Sequence, residues 1–364
     1  MGTKTELADT LIALQELAAR RRPDDPVLGD FLTRYYRELP DEDADGRRLD
    51  DAYAAAVTHL TLGRVRAPGE VLVRVLSPSA GRDGWRTERS ILMFVTDDIP
   101  FLVDTVRMAL DRAGLGIHLL VHPMLPVLRN DEHEIVGFPD DSVEANGADV
   151  GALPLEAWTL IELDRCLPEV ETELERNVEG AISEVQRAVS DFEAMRDRMR
   201  SVANGDPLLA WLGDQHFVLL GAASYDREVG DHGAPTLSLQ LGSELGEYRP
   251  GATLAARHPS PPSQAGDAEM VIARSETVAT VHRAARLTSV AVRPPADGGR
   301  VEHRFVGLLG SGAYRESVFA IPKVGDRARE VLALAGASAV SYTGRAVKNV
   351  VETLPRDLVF ELVF

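Results

Sequence analysis

Few side chains of this 364-residue chain have types and spacing that could do chemistry. Asp97 and Asp98 stand side by side in "FVTDDIPFLVD" (94–104), between an apolar run and a helical pattern. Acid–base catalysis needs two carboxylates aimed at one substrate, and neighbours at a strand-to-helix junction point in different directions. Two readings stay open. In one, Asp97 ends the strand and Asp98 caps the free N–H groups of the following helix, with Pro100 in the first turn, where its missing N–H costs nothing. In the other, the loop and those N–H groups bind a small ligand.

His118 and His122 have the H-x-x-x-H spacing that holds zinc when both lie on one helix face. Here they fall in a strand pattern, where four residues separate them by roughly 13 Å, too far for one ion. "GLLGSGAYRES" (307–317) lacks the third glycine of a dinucleotide fingerprint and the Gly-Lys-Ser/Thr of a phosphate loop, so it reads as a turn after a strand. "GLGIHL" (114–119) lacks that glycine too. The single cysteine, Cys166, has no C-x-x-C partner, and no serine sits in a G-x-S-x-G context. No constellation for covalent, metal or hydride chemistry survives. A sensing or scaffolding role fits better than an active site.

The bulk numbers narrow the classes further. Hydrophobic residues make up 45 %, enough for two or three cored domains. The net charge of −18 disfavours a nucleic-acid groove and an anionic membrane surface as partners. One cysteine permits no internal disulfide, which fits a reducing, cytoplasmic setting. No apolar run approaches the roughly 18 residues of a membrane span. The basic residues are arginines except Lys4, Lys323 and Lys348.

Hydrophobic spacing then places the elements. Residues 5–21 form an amphipathic helix, with further helices near 25–40 and 52–65 around an acidic solvated loop (38–51). Strands are expected over 71–79 and 89–96. A helix over 98–113 buries Leu102, Val106, Ala109, Leu110 and Ala113 and stops at Gly114. Strands follow at 115–128 and 154–165, with a hairpin between them. One long helix from Pro168 to about Ala203, spanning roughly 50 Å, leads to more strands at 215–228, 269–276, 280–294 and 301–311. A Pro/Ser/Gly-rich segment (248–266) reads as a mobile loop. The C-terminal 42 residues return to helix.

Taken as a whole, "FVTDDIPFLVDTVRMALDRAGLGIHLLVHPML" (94–125) resembles the N-terminal region of the large bacterial NAD-specific glutamate dehydrogenases, in a D-D-x-P-F-L-V-D turn followed by a strand ending in H-L-x-x-H-P. The matches are Asp97, Asp98, Pro100, Phe101, Leu102, Val103, Asp104, His118, Leu119, His122 and Pro123. The resemblance continues in "EAWTLIELDR", in "WLGDQHFVLLG" (Trp211, Leu212, Asp214, His216, Phe217, Leu220, Gly221), in "TVHR" (280–283) and in "ETLPRDLVFEL" (352–362). It departs at Gly310 and Gly312, where the family tends to carry serines, which leaves that loop freer.

The resemblance implies an α+β chain: N-terminal helices (1–65), an ACT-like, ferredoxin-like sheet domain (66–167), a long connecting helix (168–204), a PAS-like α/β domain (205–322) and C-terminal helices (323–364) leading toward further domains. It implies a parent enzyme oxidising L-glutamate to 2-oxoglutarate and ammonia with NAD, whose catalytic domain, and NAD with it, lies outside this stretch. The chain then has no cofactor of its own. It serves regulation or oligomerisation through a small-molecule effector such as an amino acid, through other subunits, or through the downstream catalytic domain. "TDDIPFLVD" resembles the D-x-P-G-L turn at the ACT effector site, which makes Asp97, Asp98, Ile99, Pro100 and Phe101 the candidate ligand or interface corner. Phe101 stands where glycine is usual. A glycine lets the backbone approach a ligand closely, whereas a phenylalanine ring fills that space or plugs into a partner subunit. A purely structural oligomerisation arm and a free-standing amino-acid sensor acting in trans are the alternatives.

Overall fold

A computed structural model of the chain describes residues 3–44, 48–139, 154–228, 236–253, 268–295, 298–334 and 341–363. It divides into two units, 1–183 and 184–364. Most of the 248–266 loop, and the tip of the turn at 296–297, lie outside the described residues.

The first unit opens with four helices: α1 (Thr3–Arg21), α2 (Leu28–Tyr35), a single turn α3 (Asp41–Ala44) inside the expected acidic loop, and α4 (Leu49–Gly63). Then come β1 (Leu72–Leu76), a short α5 (Ala80–Asp83) where only a turn was expected, β2 (Ser90–Asp97) and α6 (Leu102–Arg112). The prolines Pro123 and Pro126 cut the next apolar run into β3 (Ile117–Val121), β4 (Met124–Pro126) and β5 (Leu128–Arg129), because a proline cannot donate to a ladder. β6 (Ile135–Gly137) closes the small hairpin with β5, and β7 (Leu155–Leu163) is followed by α7 (Pro168–Ser190).

The sheet runs β1-β2-β7-β3, with β4 also on β7 and every pair antiparallel. β2 and β3, joined by α6, are therefore parallel to each other with β7 between them. That is a split β-α-β unit, in keeping with an ACT-type domain. β2 reads as an unbroken apolar run because helices cover both of its faces. Leu92 and Phe94 pack with Leu102, Val106 and Leu110 of α6 and with Leu174, Val178 and Ile182 of α7. Ile91, Met93 and Val95 face the N-terminal helices, with Phe31, Leu32, Ala56 and Leu60. Ala113, expected in the buried stripe of α6, is exposed at its C-cap.

Two contacts seat α4 on the sheet. At Gly63 the backbone lies against the fully buried indole of Trp158, so close that a Cβ there would stand 2.2 Å from the ring. One turn earlier, His59 is buried among Tyr35, Trp158 and Phe94. Its Nε2 lies 3.1 Å from the Phe94 carbonyl oxygen, which can only accept, so Nε2 carries the hydrogen and Nδ1 accepts from the Tyr35 hydroxyl at 2.7 Å.

The second unit holds the last residues of α7, then α8 (Phe192–Ala203), α9 (Pro207–Trp211), β8 (Phe217–Glu228), β9 (Thr236–Leu239), β10 (Leu245–Gly246), β11 (Met270–Val278), β12 (Arg286–Val292), β13 (Val301–Leu309), α10 (Ser311–Arg315), α11 (Val324–Leu334), α12 (Tyr342–Thr353) and α13 (Arg356–Val363). Its sheet is antiparallel in the order β10-β8-β13-β12-β11, with β9 pairing the far end of β8. Met195 and Met199 of α8, Leu208 and Leu209 of α9, and Val359 and Phe360 of α13 share a core with Phe217, Leu219, Val290 and Phe305 of the sheet.

The single helix expected over 168–203 is two. The ladder breaks at Asp191, whose backbone leaves the helical region (φ −96°, ψ 0°). Serine and aspartate compete with helical bonding through their side chains, and here the Asp191 carboxylate accepts from the Gly246 N–H at 2.7 Å and from the Arg249 guanidinium. The strand expected over 280–294 is shorter, with 279–285 forming a tight turn closed by the Ala279 N–H on the Ala285 carbonyl.

Candidate functional site

The corner at 97–101 is built differently from the expected capped helix. Asp98 caps nothing: its N–H donates to the Leu155 carbonyl at 2.8 Å, and α6 begins only at Leu102. Pro100 lies in the turn before the helix. The N-cap position is Phe101, with left-handed backbone (φ 67°, ψ 4°) and no side-chain cap. The turn thus keeps the conformation that favours glycine while carrying a ring, at about 1–2 kcal/mol of backbone strain. Ile99 packs its side chain toward the α6–α7 layer, and Asp98 and Pro100 are exposed.

Asp97 and Asp98 part company, as their adjacency requires. Asp97 sits opposite Glu156 in the β2–β7 register and pairs with Arg66. Arg66 also donates to Glu156 at 3.0 Å, and Arg129 holds Glu156 with two bonds, 2.7 and 2.9 Å. Arg129 reaches on to the carbonyl of Gly63 at the end of α4. Two guanidiniums and two carboxylates make a charge-balanced cluster with Arg66 and Glu156 buried. Such a cluster fixes geometry more than it adds stability, since desolvation offsets most of the attraction. No local signal reveals it, because Arg66, Arg129 and Glu156 come from separate parts of the chain. Asp98 has no such partner; burial pushes the His122 imidazole below its usual range, while the charges of Asp98 and Glu38 pull it upward. His122 Nδ1 lies 2.6 Å from the Thr159 hydroxyl.

The other sequence candidates resolve into structure. His118 bonds Asp164 at 2.7 Å, apart from His122. Among the described residues no group of histidine, cysteine, aspartate or glutamate is arranged to hold a metal. Cys166 is buried, and burial pushes its thiol up, away from reactivity. "GLLGSGAY" is the turn from β13 into α10, and it is packed rather than free: a Cβ on Gly312 would stand 3.2 Å from the His216 ring.

A feature without sequence signal lies at the other end of β2. A cleft of about 680 Å³, within the range of small-molecule sites, opens between the N-terminal helices and the sheet. Ile91, Leu119 and Leu160 form its apolar floor, and Arg21, Trp85 and Arg86 stand at its sides. None of residues 97–101 lines it. No described helix is long and apolar enough to cross a membrane.

Residues 31–187 match the glutamate dehydrogenase ACT1 domain, and residues 321–362 match glutamate dehydrogenase helical motif 1. The NAD-specific glutamate dehydrogenase of Halomonas elongata is 30% identical over 97% of this chain and 23% of its own length. That of Pseudomonas aeruginosa is 28% identical over 99% of the chain and 24% of its length, and that of Mycobacterium tuberculosis 30% over 84% and 19%. The chain spans about a quarter of the curated relatives it matches.

Proposed function

The chain belongs to the NAD-specific glutamate dehydrogenase family as an N-terminal region of its members, and from that premise we propose that it is a non-catalytic regulatory region. Its task is to sense a small metabolite or carry subunit contacts for a catalytic domain that takes L-glutamate, NAD and water to 2-oxoglutarate, ammonia and NADH. The observation that carries this reading is the match to the ACT1 domain over a split β-α-β sheet. The corner at Asp97, Asp98, Ile99, Pro100 and Phe101 is the proposed ligand or interface element. Its uncapped helix start and exposed Asp98 support that assignment. In the second unit, the antiparallel order β10-β8-β13-β12-β11, which is second-first-fifth-fourth-third when the short β9 beside β8 is left out of the count, supports the PAS-like reading. Coupling to a distant active site requires that the effector or the subunit contact favour one arrangement of the assembly over another.

The oligomerisation reading draws on a separate observation. Val331, Leu334, Tyr342 and Val350, on the two helices that precede α13, leave apolar side chains exposed, and such surface fits contact with further protein.

A thermal-shift panel of amino acids, 2-oxoglutarate, NAD and adenine nucleotides at millimolar concentration tests sensing. A ligand at 100 times its dissociation constant adds about 2.7 kcal/mol, a rise of several degrees. A shift abolished by Asp98→Ala assigns the corner. A shift abolished by Arg86→Ala instead assigns the cleft. A flat panel overturns sensing in favour of the oligomerisation arm.

A further inference from the structure

The cleft between the N-terminal helices and the first sheet has one wall whose donors the fold leaves unused. α5 ends at Gly84, whose left-handed backbone (φ 76°) turns the chain into residues 85–88 along the cleft. Two bonds fix that segment. The Thr87 hydroxyl accepts from the Arg89 N–H at 3.1 Å, and the Thr87 carbonyl accepts from the Arg165 guanidinium at 2.8 Å. Trp85 is 7% exposed, yet among the described residues no group accepts from its indole N–H. That nitrogen can only donate, so its hydrogen awaits an acceptor from outside the chain. Arg86, next to it, is exposed and also has no partner among the described residues. The other two guanidiniums at the cleft are committed, Arg21 to Asp50 at 2.6 Å and Arg48 to Asp51 at 3.7 Å.

The floor of the cleft is apolar. Ile91 of β2, Leu160 of β7, and Leu119 and Val121 of β3 form it. The register puts them on one face of the sheet, with Leu160 opposite Val121 and Glu162 between Ile91 and Leu119. Ala52, Ala54 and Ala55 of α4 also line the cleft, and their small side chains leave the space open. One guanidinium beside one indole N–H suits a single carboxylate, which a guanidinium can hold with two parallel bonds. Glu88 and Glu162 line the same cleft. Their negative charge opposes a second anionic group on the ligand, which excludes dicarboxylates and nucleotide phosphates.

We propose that this cleft binds a small monocarboxylate carried on an apolar chain. The Arg86 guanidinium and the Trp85 indole N–H hold the carboxylate, and Ile91, Leu119, Val121 and Leu160 take the chain. A short fatty acid, its 2-oxo acid and its 2-amino acid share this chemistry. The site lies apart from residues 97–101, and the inference does not rest on the regulatory reading above: binding here stands whether or not it affects a catalytic domain.

The test uses the full chain and reads dissociation constants by ligand-observed NMR. Hexanoate should bind, and hexanamide and hexylamine should fail to displace it. Affinity should rise about fourfold for each methylene from butanoate to hexanoate, as each leaves water. Arg86→Gln, a change at an exposed side chain, should fold and weaken hexanoate about tenfold, and Arg86→Lys should restore part of the loss. Trp85→Phe, which keeps a ring and removes the N–H, should weaken it about threefold. Hexanedioate, with its second carboxylate, should bind more weakly than hexanoate. L-norleucine and 2-oxohexanoate keep the carboxylate and the chain, and the tightest of the three acids identifies the source of the ligand. Hexanamide binding as tightly as hexanoate, equal affinities from butanoate to hexanoate, or an unchanged affinity in Arg86→Gln overturns the proposal.

Discussion

His59 makes the first unit sensitive to acid, and the size of the effect follows from its surroundings. Burial lowers the imidazole to about 3, against an opposing pull from the hydrogen bond to the Phe94 carbonyl. The native state therefore excludes a proton that the unfolded chain, with an ordinary value of 6.5, accepts. The stability is complete above that ordinary value and is lost as pH falls from 6.5 toward 3. Each unit in this window costs about 1.4 kcal/mol. Between pH 7.5 and 5 the loss is about 2 kcal/mol, or roughly 4–8 °C for a unit of this size. Other groups titrate over the same range, so the measurement is a difference: urea midpoints of the parent chain and of His59→Gln, both at pH 7.5 and pH 5. The variant loses a hydrogen bond at both pH values, and that constant offset cancels. The parent should lose about 2 kcal/mol more than the variant on acidification. Equal losses would refute the reasoning, because they would mean that the imidazole is not held neutral between Tyr35 and Phe94.

Two further substitutions probe the same unit. Gly63→Ala drives a methyl into the Trp158 indole, which Phe31 and His59 hem in at centroid distances of 5.0 and 5.2 Å; it should cost about 2–3 kcal/mol by overpacking, and a melting temperature within a degree of the parent's would show that the ring can step aside. At Phe101 the usual ranking of glycine and alanine should reverse: because φ is +67°, Phe101→Gly should be more stable than Phe101→Ala by about 1 kcal/mol, whereas urea midpoints in the opposite order would place that residue outside the left-handed region.

Much of the first unit is legible in the residues themselves. β2, β7 and α6 announce themselves by apolar runs and by a 3.6-residue stripe, because burial on one or both faces leaves a periodic record along the chain. The H-x-x-x-H pair could be set aside from strand spacing alone. The boundaries of the corner were less readable. Asp98 has the right type for a cap, but its N–H is taken by the Leu155 carbonyl, and a cap competes with whatever tertiary bonds the same residue can make.

The sequence by itself determined most element types, the mixed α/β class and, through matches spread in one order along the chain, the family. Tertiary structure alone decided the rest. It broke the long helix at Asp191, because the short strand β10, 55 residues later, supplies the Gly246 N–H that its carboxylate accepts. It committed Asp97 to Arg66 and left Asp98 exposed. It opened the cleft beside Trp85. Local patterns record what each residue prefers with its near neighbours, whereas ion pairs, cavities and shifted acidities arise from groups that only the folded chain brings within a few ångströms.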